Sequence, residues 1–322
     1  ERDQASAQAS AGDLASARLS AQATLASSYF QLRSADELKR LLDASAEAYA
    51  QSLQITRNQY AAGIASRADV VQAETQLKST QAQAINVEAT RATLEHAIAV
   101  LIGKAPADFA LAPAALARTV PEFPAGLPST LLERRPDIAA AERRVAAANA
   151  AIGVAVAVFY PDHTMSGSLS YAGSAMAGLF QAVNRVWSVG PQLSMMLFDG
   201  GKVSAQVEEA RAAWDESAAT YRQTVLAAFQ EVEDQLATLQ VLERQARVQA
   251  EAVASAREAE RLMLNQYRAG TVAYTNVVSA QTTALSNEQT ALTVLQDRLT
   301  ASVALIGALG GGWDREQLPE AP

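Results

Sequence analysis

The longest stretch of this sequence without glycine or proline, residues 202–269, reads KVSAQVEEARAAWDESAATYRQTVLAAFQEVEDQLATLQVLERQARVQAEAVASAREAERLMLNQYRA. As a single helix rising 1.5 Å per residue, it would extend roughly 100 Å. Helices of globular proteins average only about 10–14 residues, because a compact core cannot cover a much longer one. The stretch therefore predicts a long helix that packs lengthwise against other long helices.

Three further stretches lack glycine and proline and extend this prediction to most of the chain. They are residues 13–62, 64–102 and 271–306. Apolar residues recur at steps of three and four, which is the spacing of a coiled-coil seam. An example near the C-terminus is Leu292, Leu295, Leu299, Val303 and Ile306. The pattern predicts a mainly α-helical protein of long, mutually packed helices.

The composition agrees with thin helical packing and excludes several classes of function. Of the 322 residues, 49% are apolar but only 6% are aromatic. Alanine supplies much of the apolar share; it favours helix and buries little area, which suits close contact between helices. The net charge of −8 disfavours nucleic acid as a partner. The absence of cysteine excludes disulfides, thiolate nucleophiles and cysteine metal sites.

The middle of the chain changes from a helical period to a strand period. Residues 164–171 read TMSGSLSY, with serine on one face and mainly Met, Leu and Tyr on the other. Residues 187–195 read WSVGPQLSM and alternate again, with Ser, Gly and Gln on the polar side. Each segment is close to the roughly 9–11 residues of a transmembrane β-strand, apolar toward lipid and polar toward a lumen. Together they predict a transmembrane β-hairpin.

The same alternation also fits an ordinary amphipathic hairpin lying on a soluble core, because the alternation of one segment is only weak evidence for a transmembrane barrel. A single hairpin is not independently stable, and its faces must be covered. The sequence predicts no other strands, so neighbouring strands must come from other subunits or from residues outside this sequence. A β-barrel shared among protomers is therefore the favoured interpretation.

The two helical halves resemble each other, which indicates an internal repeat. Residues 58–63 read NQYAAG, and residues 265–270 read NQYRAG. Gly63 and Gly270 each follow a long helical stretch, where a left-handed residue is least costly as glycine. Each copy is therefore predicted to be a helical hairpin that turns at its glycine.

A capping box is predicted only after the first of these glycines. Ser66 and Asp69 have the spacing at which a serine and an acidic side chain each cap the other's backbone N–H at a helix start. The second copy has Ala273 and Asn276 at the corresponding positions, so it lacks the full box.

Four short motifs stand in order along the chain: LPSTLLERRPDI at 127–138, WSVGP at 187–191, LFDGG at 197–201 and ALGGGW at 308–313. Together they resemble the signatures of the TolC-like outer-membrane factor family. They are most similar to its lipoprotein branch, which serves efflux pumps of the resistance–nodulation–division (RND) type. The resemblance covers essentially the whole chain.

This resemblance implies an outer-membrane exit channel of a tripartite efflux pump, which passively conducts small molecules such as drugs out of the periplasm of a Gram-negative bacterium. It implies a homotrimer whose protomers share a β-barrel and a periplasmic α-barrel, with outer-membrane lipid around the former. The implied partners are a periplasmic adaptor (membrane fusion protein) and an inner-membrane RND pump. The chain is expected to be N-terminally truncated, without the first strand pair and the lipid anchor. The alternative is a soluble coiled-coil scaffold or interaction protein.

The resemblance also divides the chain into six parts. They are a first periplasmic helical hairpin (1–104), an equatorial connecting segment (105–136), a helix leading to the barrel (137–157), the transmembrane β-hairpin (158–200), a second periplasmic hairpin (201–306) and a C-terminal equatorial segment (307–322). Both hairpin turns are expected at the periplasmic tip of the channel.

Candidate site residues follow from this placement. Relatives close the tip with acidic rings and bonds between helices, and the matching positions here are Asp69, Tyr267, Arg268, Asn276 and Ser279. Positions matching the tip that meets the adaptor are Gly63, Ile64, Gly270 and Thr271. Three symmetry-related Asp69 carboxylates in a narrow lumen would attract cations. Simpler alternatives are the capping box for Asp69, helix packing for Tyr267, solvated surface for Arg268 and turn chemistry for the glycines.

No catalytic residue, metal site or cofactor is predicted. His96 and His163 lie in different elements, without a second histidine or an acid at ligand spacing. The methionines at 165, 176, 195 and 196 are interpreted as lipid-facing or loop residues rather than metal ligands. The charged run at 133–137 is expected to tie the equatorial segment to the helices through ion pairs. The protein is therefore predicted not to be an enzyme.

Overall fold

The computed structural model describes residues 1–121, 134–174 and 176–318, and it confirms a mainly α-helical fold with a small β part. The helices are α1 (Arg2–Ala61), α2 (Arg67–Leu101), α3 (Pro136–Ala157), α4 (Lys202–Arg268) and α5 (Tyr274–Ala308). The strands are β1 (Asp162–Tyr171) and β2 (Arg185–Ser194). Of the helices in the described residues, none is both long and apolar enough to cross a membrane.

The chain divides into two compact units. The first comprises residues 1–14, 136–226 and 315–322. The second comprises residues 15–135 and 227–314. Helices α1 and α4 contribute residues to both units, while the strands belong to the first and both glycine turns belong to the second.

The sheet of the first unit is a two-stranded antiparallel hairpin with one polar and one apolar face. Leu169 lies opposite Trp187, and Ser168 lies opposite Ser188. The Oγ atoms of these two serines are 2.9 Å apart. Since alternate residues of a strand point to opposite faces, this register gathers the serines on one side and the large apolar side chains on the other. The apolar side chains are solvent-exposed in one protomer, at 53% for Val189.

Close contact between small residues joins the start of α1 to α3 in the first unit. A Cβ atom on Gly12 would lie 3.0 Å from both the Ala140 Cβ and the Pro136 carbonyl oxygen. An ion pair between Asp13 and Arg144 lies beside this contact. Glycine and alanine therefore allow the two helices to approach closely, as the alanine-rich composition predicts.

The core of the second unit is a seam of heptad-spaced residues from both helical hairpins. Helix α1 contributes Leu42, Ala46, Tyr49 and Leu53, at steps of four, three and four. The other members are Ala35, Val70, Ala73, Leu77, Ala84, Val87, Tyr267, Tyr274, Val277 and Leu285. This arrangement confirms the coiled-coil-like packing predicted from the apolar spacing.

The buried stripe of α5 differs in part from the predicted one. Of the five apolar residues in the predicted seam, Leu299 is buried but Ile306 is 44% exposed. The adjacent Leu305 is fully buried instead, together with Val294. The C-terminal part of α5 carries apolar residues on more than one face, so spacing alone did not identify the face that the protomer buries.

A cluster of charged side chains joins the segment that follows α2 to helices α1 and α2. The Asp36 carboxylate accepts hydrogen bonds from Arg33 Nη1 at 2.8 Å, from Arg91 Nε at 2.8 Å and from the backbone N–H of Ala114 at 3.2 Å. Arg33 Nη1 also donates to the carbonyl oxygen of Ala112 at 2.7 Å. One carboxylate on α1 thereby holds α2 and the extended segment together.

The charged run at 133–137 contributes one such tie within the described residues. Arg135 Nη1 donates to Glu231 Oε2 at 2.8 Å and to the carbonyl oxygen of Ala308 at 2.9 Å. Arg135 is buried. Its two hydrogen bonds link the residue just before α3 to α4 and to α5, as predicted for this run. Residues 127–133, which form the LPSTLLE part of the motif and include Glu133, lie outside the described residues.

Replacing Asp36 by alanine should destabilise the protein far more than replacing Asp43. The Asp36→Ala variant leaves the buried Arg33 guanidinium without its carboxylate, while the partly buried Arg91 keeps Glu95. Loss of one partner of a buried pair costs about 3–5 kcal/mol. Asp43 pairs with Lys39 at 2.9 Å but is 54% exposed, and exposed pairs contribute about 1 kcal/mol or less. Urea unfolding of the detergent-solubilised protein, followed by circular dichroism, measures both. Equal losses would show that the buried cluster has no special role.

Candidate functional site at the two helical turns

The first turn ends α1 with a left-handed glycine. Gly63 has φ +75°. Its N–H donates to the Tyr60 carbonyl at 3.0 Å, and the N–H of Ile64 donates to the Gln59 carbonyl at 2.8 Å. These two bonds form a Schellman motif, which satisfies carbonyl groups that the helix end would otherwise leave unpaired.

The second turn repeats this geometry at the end of α4. Gly270 also has φ +75°. Its N–H donates to the Tyr267 carbonyl at 2.9 Å, and the N–H of Thr271 donates to the Gln266 carbonyl at 3.0 Å. The matching hydrogen bonds support the internal repeat inferred from the two NQY segments.

The helices that follow the two turns begin differently. The Asp69 carboxylate accepts from the backbone N–H of Ser66 at 2.9 Å, and the Ser66 hydroxyl accepts from the backbone N–H of Asp69 at 3.2 Å. This is the predicted capping box. Helix α5 begins after Ala273, whose side chain forms no capping hydrogen bond. The first turn is therefore more firmly closed than the second by its own local bonds.

Tyr267, one of the predicted gate residues, is buried within the protomer. Its hydroxyl donates to Thr56 Oγ1 on α1 at 3.2 Å. Its ring lies 5.1 Å from the ring of Tyr274, centroid to centroid. Burial raises the pKa of Tyr267, and the nearby negative charge of Asp69 raises that pKa further. The structure thus brings Asp69 and Tyr267 into electrostatic range, while the Tyr267 hydroxyl bonds to Thr56.

The other predicted gate residues lie on the surface of the isolated protomer. Arg268, Asn276 and Ser279 are exposed, and Asp69 is half-buried. The hydroxyl of Ser279 donates to the carbonyl of Thr275 in its own helix at 3.0 Å. Three of the five predicted gate residues thus remain available to groups outside the protomer.

The residues predicted to meet an adaptor are all exposed at the two turns. Gly63, Gly270 and Thr271 present small or polar surface. Ile64 is the apolar member and is 70% exposed. A single exposed apolar side chain is common on protein surfaces, so Ile64 alone does not define a contact surface.

Sequence reasoning missed several buried polar residues near the turns. They are Tyr49, Ser52, Thr56 and Gln281. One signal was available, because Gln281 interrupts the apolar stripe of α5 between Val277 and Ala284. A polar side chain on such a stripe requires a partner across the seam. The partners on α1 were not identifiable, since they depend on how the two hairpins are aligned.

The polar groups at the two turns determine what this site can bind. Within residues 1–121, 134–174 and 176–318, no group of three or more His, Cys, Asp or Glu side chains is placed to hold a metal ion. The polar groups at the turns are hydroxyls, amides, the Asp69 carboxylate and the exposed guanidinium groups of Arg67 and Arg268. Such groups bind and repel through hydrogen bonds and charge.

Long helical hairpins joined to an amphipathic β-hairpin define the fold of TolC-like outer-membrane channels. The chain superposes on the outer-membrane channel OprN with a TM-score of 0.88 and 32% identity, covering 97% of this chain and 71% of that one. It superposes on VceC from Vibrio cholerae with a TM-score of 0.85 and 26% identity, covering 97% of this chain and 75% of that one.

The family model described as outer membrane efflux protein matches residues 1–104 and 127–311. The chain therefore belongs to the outer membrane efflux protein family, which confirms the resemblance of its motifs.

Curated relatives agree with this assignment. The toluene efflux pump outer membrane protein TtgI of Pseudomonas putida (strain DOT-T1E) is 35% identical over 294 residues, which is 91% of this chain and 63% of that protein. Outer membrane protein OprJ of Pseudomonas aeruginosa is 37% identical over 221 residues, covering 68% of this chain and 46% of that protein. The chain thus spans less than two thirds of the length of either relative.

Glu260 on α4 and Glu288 on α5 lie within electrostatic range of each other. Burial raises the pKa of Glu260 above its ordinary 4.5, and the negative charge of Glu288 adds to this effect. Arg257 opposes it and forms an ion pair with Glu288. Glu258 on the same helix has the opposite shift, because hydrogen bonds from Arg261 lower its pKa.

These opposite shifts predict opposite effects of removing the two charges. The pKa of Glu260 is higher in the folded protein than in the unfolded chain. The contribution of Glu260 to stability is therefore most favourable below the unfolded pKa, and it is lost as pH rises through the folded pKa. Glu260→Gln should therefore unfold at higher temperature than wild type at pH 7 and match it near pH 4. Glu258→Gln, the control, should show no gain at pH 7. Thermal melts across this pH range measure both, and a gain for Glu258→Gln would contradict the interpretation.

Proposed function

We propose that the full protein is the outer-membrane exit channel of a tripartite efflux pump, and that it passively conducts small molecules from the periplasm to the outside. The observation that carries this proposal is the β-hairpin, whose apolar face is exposed along its length and whose other face is lined with serine. An apolar face of this size requires lipid or protein against it. A serine face suits a water-filled lumen.

The assembly follows from the incompleteness of one hairpin. Two strands cannot close a barrel, so further strands must come from other subunits or from residues of the full protein outside this sequence. The proposed barrel is shared by a homotrimer in the outer membrane. Residues 158–200 supply its transmembrane hairpin. Residues 1–104 and 201–306 supply two helical hairpins of a periplasmic α-barrel, joined through equatorial segments at 105–136 and 307–322.

The partners are a periplasmic adaptor and an inner-membrane pump of the RND type. Support comes from the names of relatives such as TtgI, which is described as part of a toluene efflux pump. The surface proposed for the adaptor comprises the two turns, at Gly63, Ile64, Gly270 and Thr271. Positive φ at both glycines and the exposed Ile64 side chain leave the backbone and one apolar group open to a partner.

The proposed gate lies at the same end of the hairpins. Asp69, Arg268, Asn276 and Ser279 supply the groups that face neighbouring protomers, and Tyr267 fixes the end of α4 behind them. Three Asp69 carboxylates around a narrow opening concentrate cations and impede anions.

An arginine placed on the apolar face of the hairpin should prevent membrane insertion, whereas one on the serine face should not. Val189→Arg puts a charge near the middle of β2 toward lipid, which costs about 2–4 kcal/mol per barrel strand near the bilayer centre. Ser188→Arg puts the same charge on the adjacent, lumen-facing position. The measurement is the amount of heat-stable trimer in outer-membrane fractions of cells that express the full-length protein.

The two variants also separate the channel from a soluble coiled-coil scaffold. Both positions are exposed in one protomer, so a soluble scaffold would tolerate both substitutions equally. Equal trimer yields for Val189→Arg and Ser188→Arg, or recovery of the wild type in the aqueous fraction without detergent, would contradict the channel.

Removing the charge of Asp69 should raise the conductance of the trimer in planar bilayers several-fold. Asp69→Asn removes the charge but keeps an oxygen that can accept from the Ser66 N–H, and Asp69→Ala removes both. Ser66→Ala is the control, because it breaks the capping box and leaves the carboxylate in place. Increased conductance is expected for both Asp69 variants and not for Ser66→Ala. An unchanged Asp69→Asn channel would exclude Asp69 from the gate.

A further inference from the structure

A groove of about 760 Å³ lies between α2 and α5 in the second unit, with α1 as its floor. We refer to it as the amide groove; the residues that line it fall within 31–42, 82–94 and 289–296. Leu42, its α1 residue nearest the first turn, precedes the end of α1 at Ala61 by roughly 30 Å along the helix. The groove is therefore separate from the surfaces proposed at the turns. Its volume lies within the range of about 300–1,000 Å³ that is usual for small-molecule sites.

The inner part of the amide groove is apolar. Leu42 and Val87 are buried, and Leu38, Leu94 and Leu292 are partly buried. These five side chains come from all three helices. An aliphatic or aromatic group placed on them would leave water, which favours binding in proportion to the apolar area buried.

The outer part of the groove is polar and uncharged. Side-chain amides line it on all three helices, at Gln31, Gln83, Asn86, Gln289 and Gln296. None of these amide groups forms a hydrogen bond with another described residue. Each amide has two N–H donors and a carbonyl acceptor. The groove can therefore both donate to and accept from the polar groups of a ligand.

Ser34 adds a buried hydroxyl that the described part of the protein does not use. Ser34 lines the groove and is 5% exposed, and its hydroxyl forms no hydrogen bond with any described residue. Other serines in these helices donate to the carbonyl four residues earlier, as Ser45 does at 2.9 Å and Ser302 does at 2.8 Å. Since buried polar groups are almost always paired, the Ser34 hydroxyl indicates a hydrogen-bonding occupant of the groove.

The lining of the groove disfavours charged ligands. Among the described residues, none that lines it is ionisable. A smaller cavity of about 290 Å³ shares Leu292 with it but is lined by Glu37, Arg118, Arg257 and Glu288. A charged molecule in the amide groove would lose water without gaining an opposite charge, which is strongly unfavourable. The groove therefore suits uncharged molecules.

The length of the groove favours a small molecule over a partner helix. Its lining covers residues 31–42 of α1, 82–94 of α2 and 289–296 of α5, each less than two heptads. A coiled-coil seam continues for three or four heptads or more. A helix seated here would thus find apolar contacts over only a short part of its length.

We infer that the amide groove is a binding site for small, uncharged, amphipathic molecules. The apolar part of the ligand lies on the leucines, and its hydrogen-bonding groups contact Ser34 and the amides. The inference goes beyond the proposed channel function, because the site is formed within one protomer and requires neither the gate nor a partner protein.

The test is photolabelling of the full-length trimer in lipid nanodiscs, where no detergent competes for the groove. The probe is benzophenone, which is uncharged and has two aromatic rings and one carbonyl acceptor. The comparison probe is 4-benzoylbenzoate, which adds a carboxylate to the same rings. Mass spectrometry identifies and quantifies the labelled residues. Benzophenone should label the groove saturably and about tenfold more than 4-benzoylbenzoate, because the carboxylate finds no opposite charge there.

A matched pair of tryptophan variants tests whether the labelling reports the groove. Thr90 is exposed and lines the groove on α2, so Thr90→Trp should fill the space and abolish saturable labelling. Thr93 is exposed on the same helix but does not line the groove, so Thr93→Trp should label as wild type. Thermal melts of both variants measure whether either substitution unfolds the helices.

Two further variants test the chemistry of the site. Ser34→Ala removes the buried donor and should raise the half-saturating benzophenone concentration about fivefold, as expected for the loss of one hydrogen bond. Gln83→Arg places a cation at the exposed edge of the groove and should make 4-benzoylbenzoate a saturable label. Equal labelling of wild type by the two probes would overturn the preference for uncharged molecules.

Labelling that does not saturate, or that falls equally in Thr90→Trp and Thr93→Trp, would overturn the site. Absence of groove labelling in the wild-type trimer would overturn it too, since a neighbouring subunit that covers the groove gives this result. The outcomes are independent of the channel. A conducting trimer without groove labelling refutes the site and leaves the proposed function intact, whereas a labelled trimer that does not conduct supports the site and refutes the proposed function.

Discussion

The reversal of the chain at Gly63 and Gly270 is the constraint on which the rest of the second unit depends. Helices of 60 and 67 residues cannot bury their apolar stripes in a compact core, so each must fold back against a partner helix. Left-handed glycines with φ +75° permit this within a few residues. Both turns have the same hydrogen bonds, and the packing of side chains between the two hairpins aligns the hairpins with each other. That alignment brings the heptad positions of four helices into one seam.

The same alignment determines which surface one protomer leaves uncovered. Leu305 is buried while the neighbouring Ile306 is 44% exposed, so the end of α5 has apolar surface on a second face. The β-hairpin likewise has an apolar face that its own chain does not cover. Exposed apolar surface in both units is difficult to reconcile with a monomer in water. It supports the trimer that we propose, in which neighbouring protomers and lipid complete the packing.

Local features were predictable from the sequence, and features that depend on alignment between hairpins were not. The glycine turns, the Ser66–Asp69 capping box and the strand alternation each depend on a few consecutive residues, and the structure contains all three. The family motifs extended this to the whole fold. By contrast, the bond from Tyr267 to Thr56 joins residues 211 positions apart. The spacing within either helix does not specify which hydroxyl meets which ring, because this depends on the relative shift of the two hairpins.

Polar side chains near the turns give the contact between the two hairpins properties that apolar side chains would not provide. If the seam were apolar as far as Gly63, separating the last turns of α1 and α4 would expose apolar surface to water, at a cost of about 25 cal/mol per Å². The residues at these positions are instead Ser52, Thr56 and Gln59, whose partners are an amide, a hydroxyl and a carbonyl, respectively. Water can replace each partner when the helices separate, so the difference in free energy between the two states is small. Hydrogen bonds also require one alignment, so the contact between the two hairpins remains specific even though its net free energy is small. Both properties suit the gate that we propose at the turns, which would close in one position and open without unfolding of its helices.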